Sequence, residues 1–312
     1  MTAARITLAL TTYNQASLLK RFLENYLRGG ADLVPLLVVD DGSTDGTAAL
    51  LRETAARHPS IAVHSLGHVS IAHARNHALR SAATPWLAFS DTDCILDGRY
   101  FTTLAALPSR FPDAVAVEGA VLPVPGPKPP FTHSMRNPEG GTYATANMAY
   151  KVEEILAMGG FDEGFANYRE DTDLALTIID RKGPIPFCPD LVVGHPHLPR
   201  SFARALASAW RVQDRIIRSE IRLYAKHPAS YARVRHHRDA RGTLSAWCRK
   251  YFAQNLKECL RYQFKEPGLT PGDRLRALIP SVQGMIVALL EQACIAILCV
   301  VQLGRISRLR SL

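Results

Sequence analysis

This sequence of 312 residues lacks several patterns that would assign its class directly. Its six cysteines include no Cys-x-x-Cys pair, so neither a zinc site nor a disulfide framework is predicted, and a reduced, cytosolic compartment is expected. The first apolar run, residues 6–10, is too short for the core of a signal peptide. No zinc-finger, homeodomain or RNP-type pattern occurs, so nucleic acid is not an expected partner.

The net charge of +9 hides an asymmetry along the chain. Residues 1–199 contain 16 Lys and Arg against 21 Asp and Glu, whereas residues 200–312 contain 21 against 7. An excess of basic residues in one segment favours an anionic partner, and without a nucleic-acid motif the predicted partner is an anionic membrane surface. We therefore expect two regions, 1–199 and 200–312, with different partners.

The apolar pattern of the first region alternates between strands and helices. Continuous apolar runs in "ITLALTTYN" and "LVPLLVVDD" predict buried parallel strands, and helical spacing in "QASLLKRFLENYLRGG" predicts a covering helix that Gly29-Gly30 ends. Ser43, Thr44 or Asp45 is expected to cap the next helix. The proline-rich residues 122–131 predict a loop beside the site. The fold class is therefore α/β, with a mostly parallel sheet flanked by helices.

Two helices and a strand are predicted in the second half of this region. One helix should run from about Lys151 to Met158 and end at Gly159-Gly160. The next should begin near Glu170-Asp171, and a short strand should follow Gly183.

The stretch "PWLAFSDTDC" places Asp91 and Asp93 two residues apart after an apolar run. If the strand continued, both carboxylates would leave on one side, with Thr92 pointing away. Two adjacent like charges repel unless a cation or hydrogen-bond donors from a ligand lie between them. The alternative is a solvated turn or Asx cap.

Six segments in order carry a resemblance to a known family: "TTYN", "VVDDGSTDGT", "HARNHALRSA", "FSDTDC", "GGFDEGF" and "EDTDLALTI". Together they resemble the family 2 glycosyltransferases, which are nucleotide-sugar enzymes with the glycosyltransferase A-type fold. The resemblance covers about residues 5–197. One departure is Thr11, where many members of the family have proline.

The resemblance implies a donor site for a nucleoside-diphosphate sugar, with a UDP-sugar favoured. Asp40 is assigned to the nucleoside and Asp41 more loosely, and Arg75 would present a cation to the nucleotide. Asp91 would face the ribose or share the metal, and Glu170 would shape the acceptor pocket. The full set of implied substrate-binding residues is Thr12, Tyr13, Asn14, Asp40, Asp41, Arg75, Asp91 and Glu170. The alternative for residues 41–45 is a turn that only caps a helix, which is the preferred interpretation of Ser43 and Asp45.

The resemblance also implies a metal ion and a general base. Asp93, with Asp91 and His195, would hold Mn²⁺ or Mg²⁺ against the diphosphate, because a hard cation suits carboxylate and phosphate oxygens. A structural role for His195 is the alternative. Asp171 would take the proton of the acceptor hydroxyl, and direct attack opposite the leaving group would invert the anomeric configuration.

The basic region begins with an amphipathic helical pattern and contains a long apolar segment. Five arginines share one narrow arc of the helix, with apolar residues opposite: Arg204, Arg211, Arg215, Arg218 and Arg222. Residues 284–304 are long enough to cross a bilayer, but Glu291 and Gln292 lie at their middle and both flanks are basic. We therefore expect monotopic attachment at the cytosolic face of the inner membrane. A buried dimerisation helix, and hence a homo-oligomer, is the alternative.

The predicted function is an inverting, metal-dependent glycosyltransferase of polysaccharide biosynthesis, acting on a lipid-linked or surface-glycan acceptor. Two alternatives come from other classes. A nucleotidyltransferase of similar topology would need a glycine-rich phosphate loop, which "TTYNQASLL" is not. A catalytically silent membrane scaffold would not need Asp91, Asp93 and Asp171.

Overall fold

A computed structural model describes residues 5–125, 132–133, 135–165, 168–199 and 202–235. The chain divides into two compact units, one formed by residues 1–124 and 135–196, the other by residues 125–134 and 197–312. The apolar segment 284–304, on which the membrane prediction depends, lies outside the described residues. Over the described ranges, no helix is both long enough and apolar enough to span a membrane.

Nine strands occur in the described residues. They are β1 (Ile6–Thr12), β2 (Leu36–Asp40), β3 (Ile61–Ser65), β4 (Trp86–Ser90), β5 (Ala116–Pro123), β6 (Thr132–His133), β7 (Asn147–Lys151), β8 (Phe187–His195) and β9 (Leu198–Pro199). Seven form the sheet of the first unit in the order β3-β2-β1-β4-β7-β5-β8. Only β7 runs antiparallel to its neighbours, β4 and β5. The predicted mixed, mostly parallel sheet is confirmed.

Helices cover both faces of this sheet. They are α1 (Ala16–Gly29), α2 (Thr47–Arg57), α3 (Ile71–Arg80), α4 (Gly98–Arg110), α5 (Val152–Ala157) and α6 (Glu170–Lys182). The apolar sides of α1, α2 and α4 pack on one face, and those of α3, α5 and α6 pack on the other. Strands β2 and β4 are buried along their whole length, as continuous apolar runs predict.

The second unit contributes two helices and a short strand pair to the described residues. Strands β6 and β9 pair with each other, and the helices are α7 (Phe202–Lys226) and α8 (Pro228–Arg235). The helix predicted at the start of the basic region is confirmed by α7. Its arginines Arg215, Arg218 and Arg222 are exposed.

Two local predictions need correction. The N-cap residue of α2 is Gly46 rather than Ser43, Thr44 or Asp45, but Asp45 still bonds the start of the helix, because its Oδ1 accepts a hydrogen bond from the Thr47 N–H at 2.8 Å. The proline-rich loop begins later than expected, because β5 continues to Pro123 and pairs there with His195. Proline is tolerated at the end of a strand because few ladder bonds are lost there. Residues 126–131 of this loop lie outside the described ranges.

Candidate active site

A cleft of about 440 Å³ lies at the carboxyl ends of β1 and β4, where open α/β sheets bind their ligands. The residues that line it are Thr11, Thr12, Tyr13, Gln15, Asp41, His68, Val69, Ser70, Ile71, Ala74, Arg75, Asp91, Thr92 and Asp93. Six of the residues predicted for the donor and metal sites from the sequence are among them. Strand order brings them together, because β4 lies beside β1, which lies beside β2.

Asp40 and Asn14, which were also predicted to bind substrate, do not line this cleft. Asp40 is 2% exposed, and its Oδ1 accepts hydrogen bonds from the backbone N–H and the hydroxyl of Ser43. Asn14 Oδ1 accepts from the N–H groups of Thr44 (2.7 Å) and Asp45 (3.2 Å). The polar groups of both residues therefore organise the loop that follows β2.

Asp41 lines the cleft and binds the segment that follows β3. Its Oδ1 accepts a hydrogen bond from the Val69 N–H at 2.8 Å, and its Oδ2 lies 3.5 Å from His68 Nδ1. The His68 ring stacks on that of Tyr13, with centroids 4.0 Å apart and planes at 21°. His68 was not predicted from the sequence. Its position just after β3, at the edge where β1 and β2 end, was the available signal.

Asp91 and Asp93 leave β4 in a turn, and Thr92 lines the cleft between them instead of pointing away. The Thr92 hydroxyl donates to Gln15 Oε1. Burial raises the pKa of Asp91 to about 6; Arg75 opposes this shift, and the charge of Asp93 adds to it. The two carboxylates therefore repel each other in a poorly solvated place, as the spacing predicted.

Asp93 lies beside His195, which is at the end of β8 and 3% exposed. Asp93 Oδ2 is 3.5 Å from His195 Nε2, and Asp93 Oδ1 is buried without a hydrogen-bond partner. Among the described residues, no group of three or more His, Cys, Asp or Glu side chains is already arranged to hold a metal ion. The donor atoms nevertheless fit a hard divalent cation, because a buried carboxylate oxygen without a partner is costly unless something binds it.

Cys94 is the residue after Asp93, and its side chain is buried. It is 3% exposed, and its thiol lies 3.9 Å from the carbonyl of Ala146. Burial raises the pKa of the Cys94 thiol, and the nearby charges of Asp91 and Asp93 add to the shift.

A buried ion pair joins α3 to the start of α6. Arg75 Nη1 lies 2.6 Å from Glu170 Oε1, and both side chains are about 5% exposed. The guanidinium also lies over the Phe161 ring, 5.7 Å from its centroid. Asn76 supports the same contact by bonding both the N–H and the carbonyl of Phe161. Burial raises the pKa of Glu170 against the opposing effect of Arg75.

Asp171 lies in the first turn of α6, where the helix dipole favours a negative charge. Its Oδ1 accepts hydrogen bonds from the backbone N–H of Thr172 at 2.6 Å and from the Thr172 hydroxyl at 3.2 Å. Its charge adds to the raised pKa of Asp91, and its neighbour Glu170 pairs with Arg75, which lines the cleft. Arg169, just before the helix, has a left-handed backbone with φ of 73°.

Comparisons with known proteins agree with this geometry. The family model of glycosyl transferase family 2 matches residues 7–155. The chain is 28% identical to validoxylamine A glucosyltransferase of Streptomyces hygroscopicus subsp. jinggangensis (strain 5008), over 54% of this chain and 50% of the relative. The chain therefore spans about half the length of the curated relative that it matches.

Two solved structures share the fold. The mannosyltransferase PcManGT from Pyrobaculum calidifontis, in complex with GDP-Man and Mn²⁺, has a TM-score of 0.56 and 20% identity, covering 94% of this chain and 86% of that one. Residues 1–349 of S. aureus TarS, in complex with UDP-GlcNAc, have a TM-score of 0.52 and 12% identity, covering 90% and 89%. The match over residues 7–155, which is just under half of the chain, and the shared glycosyltransferase A-type fold support a family 2 glycosyltransferase.

Proposed function

We propose that this chain is an inverting, metal-dependent glycosyltransferase that transfers a sugar from a nucleoside-diphosphate sugar to a hydroxyl group. One observation carries the proposal. Arg75 lines the cleft that contains Asp91 and Asp93, and its Nη1 lies 2.6 Å from Oε1 of Glu170, the residue beside Asp171 at the start of α6. A donor site and a candidate base are thus available to one reaction.

The donor is a nucleoside-diphosphate sugar held in the 440 Å³ cleft. Tyr13 is 40% exposed and offers an aromatic surface to a base, while Arg75 supplies a cation to the lining of the cleft. UDP-sugars remain the favoured donors, and a related structure contains UDP-GlcNAc whereas another contains GDP-Man.

Asp93 would hold the metal ion, with Asp91 and His195 beside it. The unpartnered Asp93 Oδ1 and the adjacent Asp91 carboxylate supply the negative donor set that Mn²⁺ or Mg²⁺ prefers. When bound, such an ion neutralises the charge of a leaving diphosphate. Binding would also relieve the repulsion between the two carboxylates.

Asp171 acts as the general base. Its side chain is half-buried, so it can reach solvent or an acceptor, and Thr172 orients one of its oxygens. The acceptor hydroxyl gives its proton to this carboxylate as its oxygen bonds to the anomeric carbon and the bond to the diphosphate breaks. A single displacement of this kind inverts the anomeric configuration.

Glu170 positions this base rather than taking the proton itself. Arg75 binds one of its oxygens in a buried pair, which fixes the first turn of α6 against α3. The other oxygen, Oε2, is buried without a hydrogen-bond partner, and we assign Glu170 to the wall of the acceptor pocket.

The membrane part of the proposal concerns residues 200–312. Their surplus of 14 basic residues and the exposed arginines of α7 support attraction to anionic lipid at a cytosolic membrane face. Residues 284–304 would add the apolar contact that stable attachment needs. The acceptor is then a lipid-linked or surface glycan. If the apolar segment instead joins two copies, the chain is a homo-oligomer.

The reaction is tested with a panel of UDP-, GDP- and dTDP-sugars, each with Mn²⁺, Mg²⁺ or EDTA. We expect at least one donor to bind and to be hydrolysed slowly, with both effects lost in EDTA. Asp113→Asn serves as a matched control, because Asp113 is an exposed carboxylate outside the cleft. Binding that is unaffected by EDTA would contradict the metal, and the absence of binding to every donor would contradict the function.

Membrane attachment is tested by sedimentation of the full chain with vesicles that contain phosphatidylglycerol. We expect binding that salt weakens only partly, because salt screens exposed arginines over about 10 Å at 0.1 M but does not affect apolar contact. Removal of residues 280–312 should release most of the protein. A full chain that forms a dimer and ignores lipid would assign the segment to oligomerisation instead.

A further inference from the structure

Four residues other than glycine have a left-handed backbone in the described part of the chain: Asn14 (φ 52°), His68 (56°), Tyr143 (58°) and Arg169 (73°). This conformation is uncommon for any L-residue and costly for a bulky aromatic one. Three of the four adjoin the site. Asn14 follows Tyr13, His68 lines the cleft, and Arg169 precedes Glu170. Tyr143 is the fourth of these residues, and it has no role in the proposed reaction as described so far.

Glu118 of β5 holds Tyr143 in this conformation. The carboxylate is 2% exposed and accepts four hydrogen bonds, three of them from consecutive backbone N–H groups. Gly141 N donates to Oε2 at 2.6 Å, and Thr142 N (3.0 Å) and Tyr143 N (2.5 Å) donate to Oε1. Asn137 Nδ2 adds a fourth bond, to Oε1 at 2.8 Å. Charge-assisted bonds of this kind offset the cost of a strained backbone.

The loop of residues 137–146 leads to the edge of the sheet where β1 and β4 end and where the cleft lies. Asn147, the first residue of β7, pairs with Ser90, the residue just before Asp91. Because β7 runs antiparallel to β4, the segment before β7 lies at the edge where β4 ends. The loop and the cleft therefore share one edge.

Glu118 also lies on the face of the sheet that α6 covers. It pairs with Met148, which packs in the same apolar cluster as Leu174 of α6. Tyr150 of β7 belongs to the same cluster, and burial raises the pKa of its phenol, with the charges of Asp171 and Glu118 adding to the shift. The 137–146 loop therefore lies at the edge where β4 ends, and Glu118, which binds it, faces the side of the sheet that α6 covers.

We propose that Tyr143 binds the sugar acceptor and that Glu118 is the positioning residue that holds it there. The inference depends on the proposed glycosyl transfer and names the acceptor class as a carbohydrate. The half-buried ring presents an apolar face to the C–H surface of a pyranose, and the phenol can bond a sugar hydroxyl. The left-handed backbone at Tyr143 gives this ring a direction that an ordinary backbone conformation would not give it.

The first test is Tyr143→Asn, because asparagine tolerates a left-handed backbone and the change removes only the ring. The probes are the 4-nitrophenyl glycosides of glucose, galactose, mannose and N-acetylglucosamine. We expect the KM for the best acceptor to rise about tenfold, the effect of one lost stacking contact of about 1.4 kcal/mol. Hydrolysis of the donor in the absence of acceptor should stay within about twofold of wild type.

The second test separates the ring from its support. Tyr143→Phe keeps the ring, so an acceptor KM close to wild type would assign binding to stacking, and a raised KM would assign it to the phenol. Glu118→Gln replaces one carboxylate oxygen, which accepts hydrogen bonds, with an amide NH2 group, which can only donate them. We expect this variant to raise the acceptor KM and to leave donor hydrolysis unchanged. Glu53→Gln, an exposed change on α2, is the matched control.

The outcomes distinguish this inference from the proposed function. A wild-type chain that hydrolyses a donor and transfers to a probe, with an acceptor KM that Tyr143→Asn leaves unchanged, would overturn the inference alone. Equal loss of donor hydrolysis in Tyr143→Asn would assign Tyr143 a purely structural role. Donor hydrolysis with no transfer to any probe would contradict carbohydrate as the acceptor class. A wild-type chain that binds no donor would overturn both.

Discussion

The two halves of the seven-stranded sheet build the site in different ways. In β3-β2-β1-β4 every strand is parallel, so each strand ends at the same edge and the residues that follow it enter the cleft. In β7-β5-β8 one strand, β7, runs antiparallel to its neighbours, so it begins at that edge instead of ending there. The first half therefore supplies residues that follow strands. The second half supplies residues in three settings, which are Tyr143 before β7, Asp171 at the start of α6 and His195 at the end of β8.

This difference matches a division of labour in the proposed reaction. Asp91, Asp93 and Tyr13 follow strands of the parallel half and are assigned to the donor. Asp171 and Tyr143, which are assigned to the acceptor, precede or begin elements of the second half. Substitutions in the two halves should then separate donor binding from transfer.

The largest effect is expected in the parallel half, from Asp93→Asn. The change removes the charge that would hold the cation while keeping the shape of the side chain, so transfer should fall to the background rate. Donor binding should lose its dependence on Mn²⁺, measured by isothermal titration with and without the metal. Near-normal turnover in the presence of EDTA would show that Asp93 does not hold a metal.

The next effect is expected in the second half, from Asp171→Asn. Removal of the base should lower the transfer rate by about two to four orders of magnitude, while donor affinity stays close to wild type. Single-turnover transfer and titration with the donor nucleotide measure the two quantities. A parallel loss of donor affinity would move Asp171 to the donor half and break the comparison.

Arg75→Met tests the contact that joins the halves. The change leaves Glu170 buried without its partner, so the free energy of unfolding should fall by about 3–5 kcal/mol. Urea unfolding of the single variant and of Arg75→Met/Glu170→Met gives the measurement. The double variant should regain most of the loss, because no unpaired charge then stays buried. Equal losses in both would show that packing, not charge, dominates the contact.

The smallest effect concerns the outer edge of the parallel half. His64 Nδ1 on β3 and His77 Nε2 on α3 lie 2.7 Å apart, and burial together with the charge of His64 lowers the pKa of His77. A lowered pKa means that the unfolded chain binds the proton more readily, so stability is full above about pH 6.5 and falls as the pH drops below it. His77→Gln should reduce the loss of stability between pH 7.5 and 5.5, measured by urea unfolding. His58→Gln, outside this pair, should not.

Features with a local sequence signal could be predicted in both halves of the sheet. Continuous apolar runs indicated β2 and β4, and the Asp91–Asp93 spacing indicated a place where like charges meet. The helices α5 and α6 began within about two residues of their expected positions, since glycine and acidic residues mark such ends.

The features that were missed depend on contacts between distant residues. Asp40 is expected from the sequence to bind the nucleoside, and the hydrogen bonds that its Oδ1 accepts from Ser43 were not predicted. Glu118 reaches backbone N–H groups more than twenty residues away, and no local pattern announces such bonds. His68 and Tyr143 are identified by the backbone conformation, which periodicity does not report.

The burial of Cys94 makes it a built-in reporter of motion beside the carboxylate pair. Only a thiolate reacts with alkylating reagents, so a buried thiol with a raised pKa should be labelled only when the segment after β4 opens. The labelling rate of the Cys94 peptide, followed by mass spectrometry, then measures the free energy of that opening. A bound donor nucleotide that stabilises the closed segment should slow the labelling in proportion to its occupancy.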